Sequence, residues 1–231
     1  MDSGRSGRRV NIVSFLAPRR DHPRWNDIYF DLLEILDRSC RHLGLRHVVL
    51  TDDPTLPHGE LFYRPLPADL MQAATQAHFE WLAQGNWHND DTCLVGVDCI
   101  VLQDPASALC GKFDMAVTYR DARARYPINT GMIYISANAR ERARALFKRV
   151  ADRTGTTWCD DQRAIQAELA PMPDGHGVYE RAMMRVGFLP MFLFNERPDG
   201  LSPMPGRIML HFRGKIERKK QMVEWAAKWL K

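Results

Sequence analysis

Short, continuous apolar runs alternate along this chain with longer stretches in which apolar residues recur at helical spacing. Continuous apolar runs are typical of strands buried on both faces, since strands that face water alternate in polarity. These runs predict strands at 10–16, 47–51, 61–64, around Asp98, and at 114–119, 131–136, 188–194 and 207–212. The pattern therefore predicts a sheet that lies mostly between other layers.

The stretches with helical spacing fall between these runs. They predict helices at 26–43, from 69 to about 85, from 138 to about 155, at 160–169 and at 217–230. Asp69 with Gln72, and Asn138 with Glu141, have the spacing of a capping box. Strands that alternate with helices favour an α/β sandwich around a mostly parallel sheet, formed by a single domain over 10–231.

Composition is that of an ordinary globular protein. The chain has 231 residues, of which 45% are hydrophobic and 26% charged, which is enough for one sizeable core. No apolar stretch approaches the roughly 18 residues that span a bilayer. Residues 1–9 are small and basic and lack the apolar centre of a signal peptide, so we expect a disordered tail there.

The five cysteines are scattered and odd in number, and no CxxC pair occurs. Disulfide frameworks and cysteine-based zinc sites have closer, paired spacings. Reduced and mostly buried thiols in a cytoplasmic protein are therefore the expectation.

The net charge is +4, and the basic residues are clustered at 5–9, 19–20, 120–125, 140–149 and 213–220. Such clusters are commonly solvated helix faces and tails. They also attract acidic partners such as a diphosphate, an anionic lipid surface or nucleic acid. Charge alone does not choose among these.

Several familiar nucleotide and metal motifs are missing. No GxGxxG follows the first predicted strand, no GxxxxGK[ST] occurs anywhere, and HExxH is absent. Dinucleotide dehydrogenases, P-loop enzymes and zinc proteases of that type are therefore disfavoured.

Four short motifs occur instead, in a fixed order. They are Gly96-Val97-Asp98 in an apolar run, Asn129-Thr130-Gly131, Asp160-Asp161-Gln162 and His211-Phe212-Arg213-Gly214-Lys215. An ionisable Asp98 in an apolar run is costly unless a cation, a hydrogen-bond donor or the open end of the strand receives its carboxylate.

Over 10–219 this order resembles the GT-A-fold glycosyltransferases, in particular the glycogenin-like nucleotide-diphospho-sugar transferases and their bacterial and phage relatives. The resemblance implies a metal-assisted, retaining hexosyltransferase. Such an enzyme moves a sugar from a nucleotide-diphosphate donor, expected to be a UDP-sugar, to a hydroxyl acceptor.

In the resembled family an Asp-x-Asp motif and a later histidine hold Mn²⁺ or Mg²⁺ against the donor's diphosphate. Asp98 and His211 are the matching metal ligands here, whereas Gly96 replaces the first carboxylate. A hard divalent cation suits carboxylate and phosphate oxygens, and a neutral imidazole can complete its shell. The structural alternatives are a strand-end aspartate that accepts backbone hydrogen bonds and a histidine satisfied within the core.

The resemblance assigns the diphosphate to Gly214, which permits close approach of the backbone, and to Lys215. Arg218 or Lys219 takes the place of Lys215 if the register of the loop differs. Arg120 is expected to neutralise phosphate or bind sugar, and the alternative is a solvated loop arginine.

The remaining assignments concern the sugar and the base. Asn129 and Gly131 would line the donor sugar, with a simple turn as the alternative. Asp161 would act as the catalytic carboxylate beside Gln162, and Asp160 would cap the helix. The base is expected to meet Ala17, Arg19 and Asp52, which follow the first two strands. Asn195 resembles a further family position near the site.

Two other functions stay open at this point. A non-catalytic sugar-nucleotide-binding protein is favoured by Gly96, because the metal motif is then degenerate. A sugar-1-phosphate nucleotidyltransferase is more distant, since no glycine-rich basic loop follows the first strand. For an enzyme, the acceptor is a glycan, a lipid-linked sugar or a hydroxylated base in DNA.

Overall fold

An eight-stranded sheet forms the centre of the protein in the computed structural model, which describes residues 9–18, 23–65, 70–84, 90–198 and 200–230. Its strand order is β3-β2-β1-β4-β7-β6-β9-β8, and only β7 and β8 run against the others. The strands of this sheet are β1 (Val10–Phe15), β2 (Arg46–Thr51), β3 (Glu60–Tyr63), β4 (Asp91–Val95), β6 (Met115–Tyr119), β7 (Ile128–Ile135), β8 (Gly177–Arg181) and β9 (Met184–Pro190). The predicted α/β class with a mostly parallel sheet is confirmed.

Helices cover both faces of this sheet. They are α1 (Pro23–His42), α2 (Leu70–Leu82), α3 (Ala106–Leu109), α4 (Arg140–Arg153), α5 (Asp160–Leu169), α6 (Met191–Phe194) and α7 (Ile216–Trp229). Side chains of α2, α4 and α5 share one apolar core with the sheet, while α1 packs on the opposite face and meets α7 there. Within the described part of the chain, no helix is long and apolar enough to cross a membrane.

A two-stranded ribbon lies beside α1 and α7 and is formed by β5 (Cys99–Val101) and β10 (Met209–His211). The sequence predicts one continuous strand through Asp98, and this is wrong. The chain leaves the main sheet after Val95 and turns, with the N–H of Cys99 donating to the carbonyl of Gly96 at 3.1 Å. Asp98 consequently lies in a turn between two strands rather than inside one.

The second half of the chain differs from the prediction in three places. Residues 191–194 form the helical turn α6 instead of continuing β9, and the strand β8 was not predicted. The predicted capping box of Asn138 does not form, because Ser136 accepts the N–H of Asn138 and a short 3-10 turn precedes α4. The predicted cap at Asp69, the helix end at Gly85 and the basic tail 1–8 lie outside the described residues.

An irregularity in β7 shapes the edge that carries the polar motifs. Val117 of β6 pairs with Ile133, but the next residue, Thr118, pairs with Asn129. Three residues of β7, 130–132, therefore have no partner in β6 and form a large bulge. Bulges bend a strand and redirect its side chains, and they are frequent next to functional sites.

Candidate functional site

The predicted motifs meet at one edge of the sheet. The parallel strands β1, β4, β6 and β9 end at this edge, and the antiparallel β7 begins there, as the pairings Tyr119 with Ile128 and Tyr119 with Pro190 show. Gly96, Arg120 and Asn129 are therefore neighbours, although they are distant along the chain. In open α/β sheets this is the edge at which ligands bind.

The β5–β10 ribbon brings His211 to Asp98. His211 pairs with Cys99 across the ribbon, and the N–H of Phe212 donates to the carbonyl of Asp98 at 2.8 Å. As a result His211 Nε2 lies 3.1 Å from Asp98 Oδ1, and the two residues are 7% and 8% exposed. The two residues that sequence analysis assigned to a metal are therefore in contact.

A chain of buried amides determines which nitrogen of His211 carries the proton. The backbone N–H of Gly131 donates to Asn129 Oδ1 at 2.9 Å, so this atom must be an oxygen. Asn195 Nδ2 donates to the same atom at 2.6 Å, which turns Asn195 Oδ1 towards His211 Nδ1 at 2.5 Å. His211 Nδ1 must donate to that oxygen. We call Asn129, Asn195 and His211 the amide relay.

The relay leaves His211 Nε2 with a lone pair that faces the carboxylate. Burial, and then the nearby charges of Arg213 and Arg120, lower the pKa of His211 to about 3, so the ring is neutral at physiological pH. Asp98 Oδ1 and His211 Nε2 are thus two acceptors with no proton between them. We call them the acceptor pair.

The acceptor pair fits a divalent cation. Ligands on adjacent corners of an octahedron around Mg²⁺, bonded at about 2.1 Å, lie roughly 3.0 Å apart. The observed separation is 3.1 Å. Gly96 contributes no carboxylate but leaves space, because a Cβ there would lie 2.6 Å from Asp98 Oδ1 and 3.7 Å from His211 Nε2.

Cys99 is the third metal-ligating type in this cluster, with its sulfur within 4.8 Å of the acceptor pair. Burial raises the pKa of the Cys99 thiol, and its Sγ points to the carbonyl of Gly131 at 3.5 Å. Only the thiolate is an effective metal ligand, and Mg²⁺ and Mn²⁺ prefer oxygen. The acceptor pair therefore remains the donor set.

Lys219 reaches the same carboxylate from α7. Its ammonium is in contact with Asp98 Oδ2 and donates to the carbonyl of Phe212 at 3.0 Å, and the residue is 4% exposed. Burial lowers the pKa of Lys219 to about 8. Contact with a carboxylate favours the charged ammonium. From the sequence, Lys219 was expected only as an alternative to Lys215.

Lys215 is exposed and lies at the N-terminal end of α7. It follows Gly214, whose φ of 108° is a conformation that other residues rarely adopt. Lys215 and Gly214 are both exposed, so a ligand that approaches from solvent can reach them.

Gly131 has a structural role beside the relay. A Cβ at this position would overlap the imidazole ring of His211 and lie 2.8 Å from Asn129 Oδ1. The side-chain Oδ1 of Asn129 already accepts two hydrogen bonds. The backbone carbonyl of Asn129 accepts a third from Thr118 Oγ1 at 2.8 Å. Gly131 thus leaves room for the His211 ring, and Asn129 supports that ring through Asn195.

Asp161 lies in the first turn of α5 and faces the bulge of β7. Thr130 Oγ1 donates to its Oδ2 at 2.9 Å. Burial raises the pKa of Asp161, while the hydrogen bond from Thr130 acts in the opposite direction. Beside it, Gln162 Oε1 is buried without a hydrogen-bond partner, which marks an acceptor that a ligand hydroxyl could satisfy.

Asp160 does not cap α5, contrary to the prediction. The N-cap is Cys159, with a φ of 71° and no side-chain hydrogen bond. Asp160 instead accepts the N–H of Thr157 at 2.9 Å and pairs with Arg163 at 2.7 Å. Asp160 thus stabilises the loop before α5, in which Trp158 is 71% exposed.

The positive charges of two arginines, Arg213 and Arg120, act on the acceptor pair. Burial, followed by the charges of Arg120 and Arg197, lowers the pKa of Arg213 to about 10. Arg213 Nη1 lies 3.9 Å from Met191 Sδ, and Arg120 Nη1 donates to the carbonyl of Tyr126 at 3.3 Å. Guanidinium groups that repel one another are stabilised by an anion.

The residues assigned to the base lie at the ends of β1 and β2. The N–H of Leu16 donates to the carbonyl of Leu50 at 3.0 Å, so Ala17 and Asp52, both half-buried, follow neighbouring strand ends. Arg19 lies outside the described residues. Ala17 and Asp52 make no contact with the acceptor pair among the described hydrogen bonds and ion pairs.

Comparison with family models and with curated proteins finds no match. Solved structures do match. A glycosyltransferase involved in glycosylation of the major capsid of PBCV-1 has a TM-score of 0.62 at 14% identity, over 93% of this chain and 98% of that one. The apo form of the glycosyltransferase GlyE from Streptococcus pneumoniae TIGR4 has a TM-score of 0.58 at 15% identity.

The chain covers 64% of GlyE, and 97% of its own length takes part in that match. It covers 50% of the bifunctional glycosyltransferase WbbM, with a TM-score of 0.54 at 11% identity. Identities this low carry information on the fold alone. Together with the eight-stranded, mostly parallel sheet, these likenesses show that the chain has a glycosyltransferase-like fold.

Proposed function

We propose that this protein is a glycosyltransferase that moves a sugar from a nucleoside diphosphate, with UDP as the expected nucleotide, to a hydroxyl acceptor. The observation that carries the proposal is the acceptor pair. A carboxylate oxygen and an imidazole nitrogen from distant segments are held 3.1 Å apart at the edge where open α/β sheets bind ligands. The glycosyltransferase-like fold supports the same proposal.

Asp98 Oδ1 and His211 Nε2 would hold Mn²⁺ or Mg²⁺ together with oxygens of the donor's diphosphate. When bound, such a cation neutralises negative charge on the departing diphosphate. Arg120, Arg213 and Lys215 add positive charge around the same place. Each favours an anion in the site, and the anion in turn relieves their mutual repulsion.

Asp161 and Gln162 would orient the sugar. The unsatisfied Gln162 Oε1 can accept a hydrogen bond from a hydroxyl, and one Asp161 oxygen is already held by Thr130. In the reaction the bond between the anomeric carbon and the diphosphate breaks, and a bond to the acceptor oxygen forms. In a retaining reaction the leaving diphosphate would accept the proton of the acceptor hydroxyl, so that no separate strong base would be required.

The proposal is tested by binding followed by turnover. Calorimetry with UDP in the presence of Mn²⁺ measures binding, and release of UDP from UDP-sugars measures transfer to water or to added acceptors. We expect both in the wild type and loss of turnover in Asp98→Asn. The matched control, Asp152→Asn, changes an exposed aspartate of α4 and is expected to leave both unchanged.

A non-catalytic sugar-nucleotide-binding protein is the second candidate, because Gly96 supplies no carboxylate and Lys219 already engages Asp98. Binding without turnover across donors and metals would establish it. Absence of any nucleotide binding would contradict both candidates. For the enzyme, NMR of the first-formed product determines the anomeric configuration, and a β-linked product from an α-linked donor would contradict retention.

A further inference from the structure

Lys219 is an unusual lysine for a helix that lies at the protein surface. Its neighbours Lys215 and Lys220 are exposed, whereas Lys219 is 4% exposed. A buried ammonium is stable only when charged and polar partners surround it. Here the partners are Asp98 Oδ2 and the carbonyl of Phe212, so Lys219 is built into the site rather than extended into solvent.

The two oxygens of Asp98 consequently face different groups. Oδ2 contacts the ammonium of Lys219, and Oδ1 lies 3.1 Å from His211 Nε2. The single negative charge of this carboxylate is already compensated by Lys219. Since residue 96 is a glycine, the turn adds no second carboxylate with which a divalent cation could be balanced.

We propose that Lys219 is a resident cation that competes with the divalent metal for Asp98, so that the metal binds weakly alone and strongly together with a diphosphate. A divalent cation at the acceptor pair would lie beside an ammonium that shares its carboxylate, and like charges at short range repel. Arg213 and Arg120, which face His211, add to this repulsion.

A diphosphate changes this balance because its oxygens can compensate both cations. This second half of the proposal rests on the proposed function, whereas the competition at Asp98 does not. Lys219 thereby couples two binding events at one carboxylate. The coupling is reciprocal, since a ligand that tightens metal binding is itself bound more tightly when the metal is present.

The competition is tested with Mn²⁺ alone, titrated into the protein while electron paramagnetic resonance measures the free ion. We expect weak binding by the wild type and at least about tenfold tighter binding by Lys219→Met, in which the charge is removed at similar length. Lys219→Arg keeps the charge, and Lys220→Met changes the exposed neighbour; both should bind as the wild type does. Equal affinity of Lys219→Met and the wild type would overturn the proposal.

A thermal melt shows whether the Lys219→Met variant is folded and whether Mn²⁺ stabilises it. Lys219→Met leaves Asp98 buried without its cation, so we expect a lower melting temperature that Mn²⁺ raises more than in the wild type. The double variant Asp98→Asn/Lys219→Met should lose this response. A response that persists in the double variant would place the metal elsewhere and contradict the proposal.

The coupling is tested by repeating the Mn²⁺ titration with saturating UDP. We expect UDP to tighten Mn²⁺ binding in the wild type by a larger factor than in Lys219→Met. UDP that binds without any effect on Mn²⁺ affinity would overturn the coupling. If UDP does not bind at all, the proposed function fails, while the titration with Mn²⁺ alone still decides whether Lys219 competes for Asp98.

Discussion

Asn195 Oδ1 lies 2.5 Å from His211 Nδ1, and this contact keeps the proton of the neutral imidazole on Nδ1, so that Nε2 faces Asp98 with its lone pair. Asn195 is fully buried, and its Nδ2 is held by Asn129 Oδ1 and by Thr118 Oγ1 at 2.7 Å. This chain of hydrogen bonds starts at the backbone N–H of Gly131, which can only donate. The orientations of the Asn129 and Asn195 amides follow from that donor in turn.

Asn195→Ala should therefore weaken metal-dependent activity through His211. Residues that orient a metal-binding histidine contribute roughly 10- to 100-fold to affinity or activity, and we expect a loss in that range. Nitrogen-15 shifts of the His211 ring should show a mixture of tautomers in place of one. Asn138→Ala, an exposed control, should change neither reading.

Asp98→Asn should abolish transfer and also destabilise the fold. Removing one partner of a buried ion pair leaves the other charge uncompensated, which costs about 3–5 kcal/mol. The double variant Asp98→Asn/Lys219→Met removes both charges, so its unfolding free energy should recover towards the wild type while activity stays lost. Denaturant unfolding and a transfer assay separate the two effects. Full activity in stable Asp98→Asn would contradict the role of this carboxylate.

Gly131→Ala should displace the His211 ring, because a Cβ at this position overlaps it. Overpacking a buried site costs typically about 1–3 kcal/mol, and we expect a lower melting temperature together with loss of activity. Gly175→Ala is the matched control, since a Cβ there meets nothing within 4 Å. Similar effects of the two substitutions would show that close packing on His211 is not the cause.

Thr130→Val should move the acid limb of the pH–rate profile to higher pH. The hydrogen bond from Thr130 favours the ionised form of Asp161 and thus lowers its pKa, against the effect of burial. Without that bond the pKa of Asp161 rises further, and the carboxylate is protonated at a higher pH. A profile measured under kcat/KM conditions reports this shift. An unchanged acid limb would indicate that Asp161 does not act as a carboxylate in the reaction.

Acid stability should depend on Asp37, a buried residue of α1 that contacts His47 of β2. The hydrogen bond with His47 at 3.1 Å holds the pKa of Asp37 below its ordinary 3.8 in the folded protein. Its contribution is therefore present above pH 3.8 and is lost as the pH falls through the lower folded value. Unfolding free energies measured across this acid range should fall less steeply in Asp37→Asn than in the wild type. Equal slopes would contradict the prediction.

The positions of most strands and helices can be predicted from the sequence, because these elements depend on local patterns of apolar residues. Apolar runs and helical spacing locate most strands and the helices α1, α5 and α7 within a few residues. Capping was predicted less well, since Ser136 and Cys159 occupy positions assigned to Asn138 and Asp160. Caps are decided by a few hydrogen bonds whose geometry the local sequence does not determine.

The site is predicted in part, for a related reason. Asp98 and His211 were identified from motifs, and the structure brings them together. The bulge at 130–132 and the break after Val95 depend on pairing between distant strands, which no local pattern contains. Lys219 has the sequence context of an exposed helical lysine, and only the packing of α7 against the ribbon shows that it is buried.

The contact between Lys219 and Asp98 joins positions 121 residues apart. Contacts of such high sequence separation close large loops and tend to form late in folding. During synthesis, the segment that contains Asp98 leaves the ribosome long before its partner exists, so an incomplete chain cannot assemble this centre. Proteolytic loss of α7 would likewise remove Lys219 from Asp98.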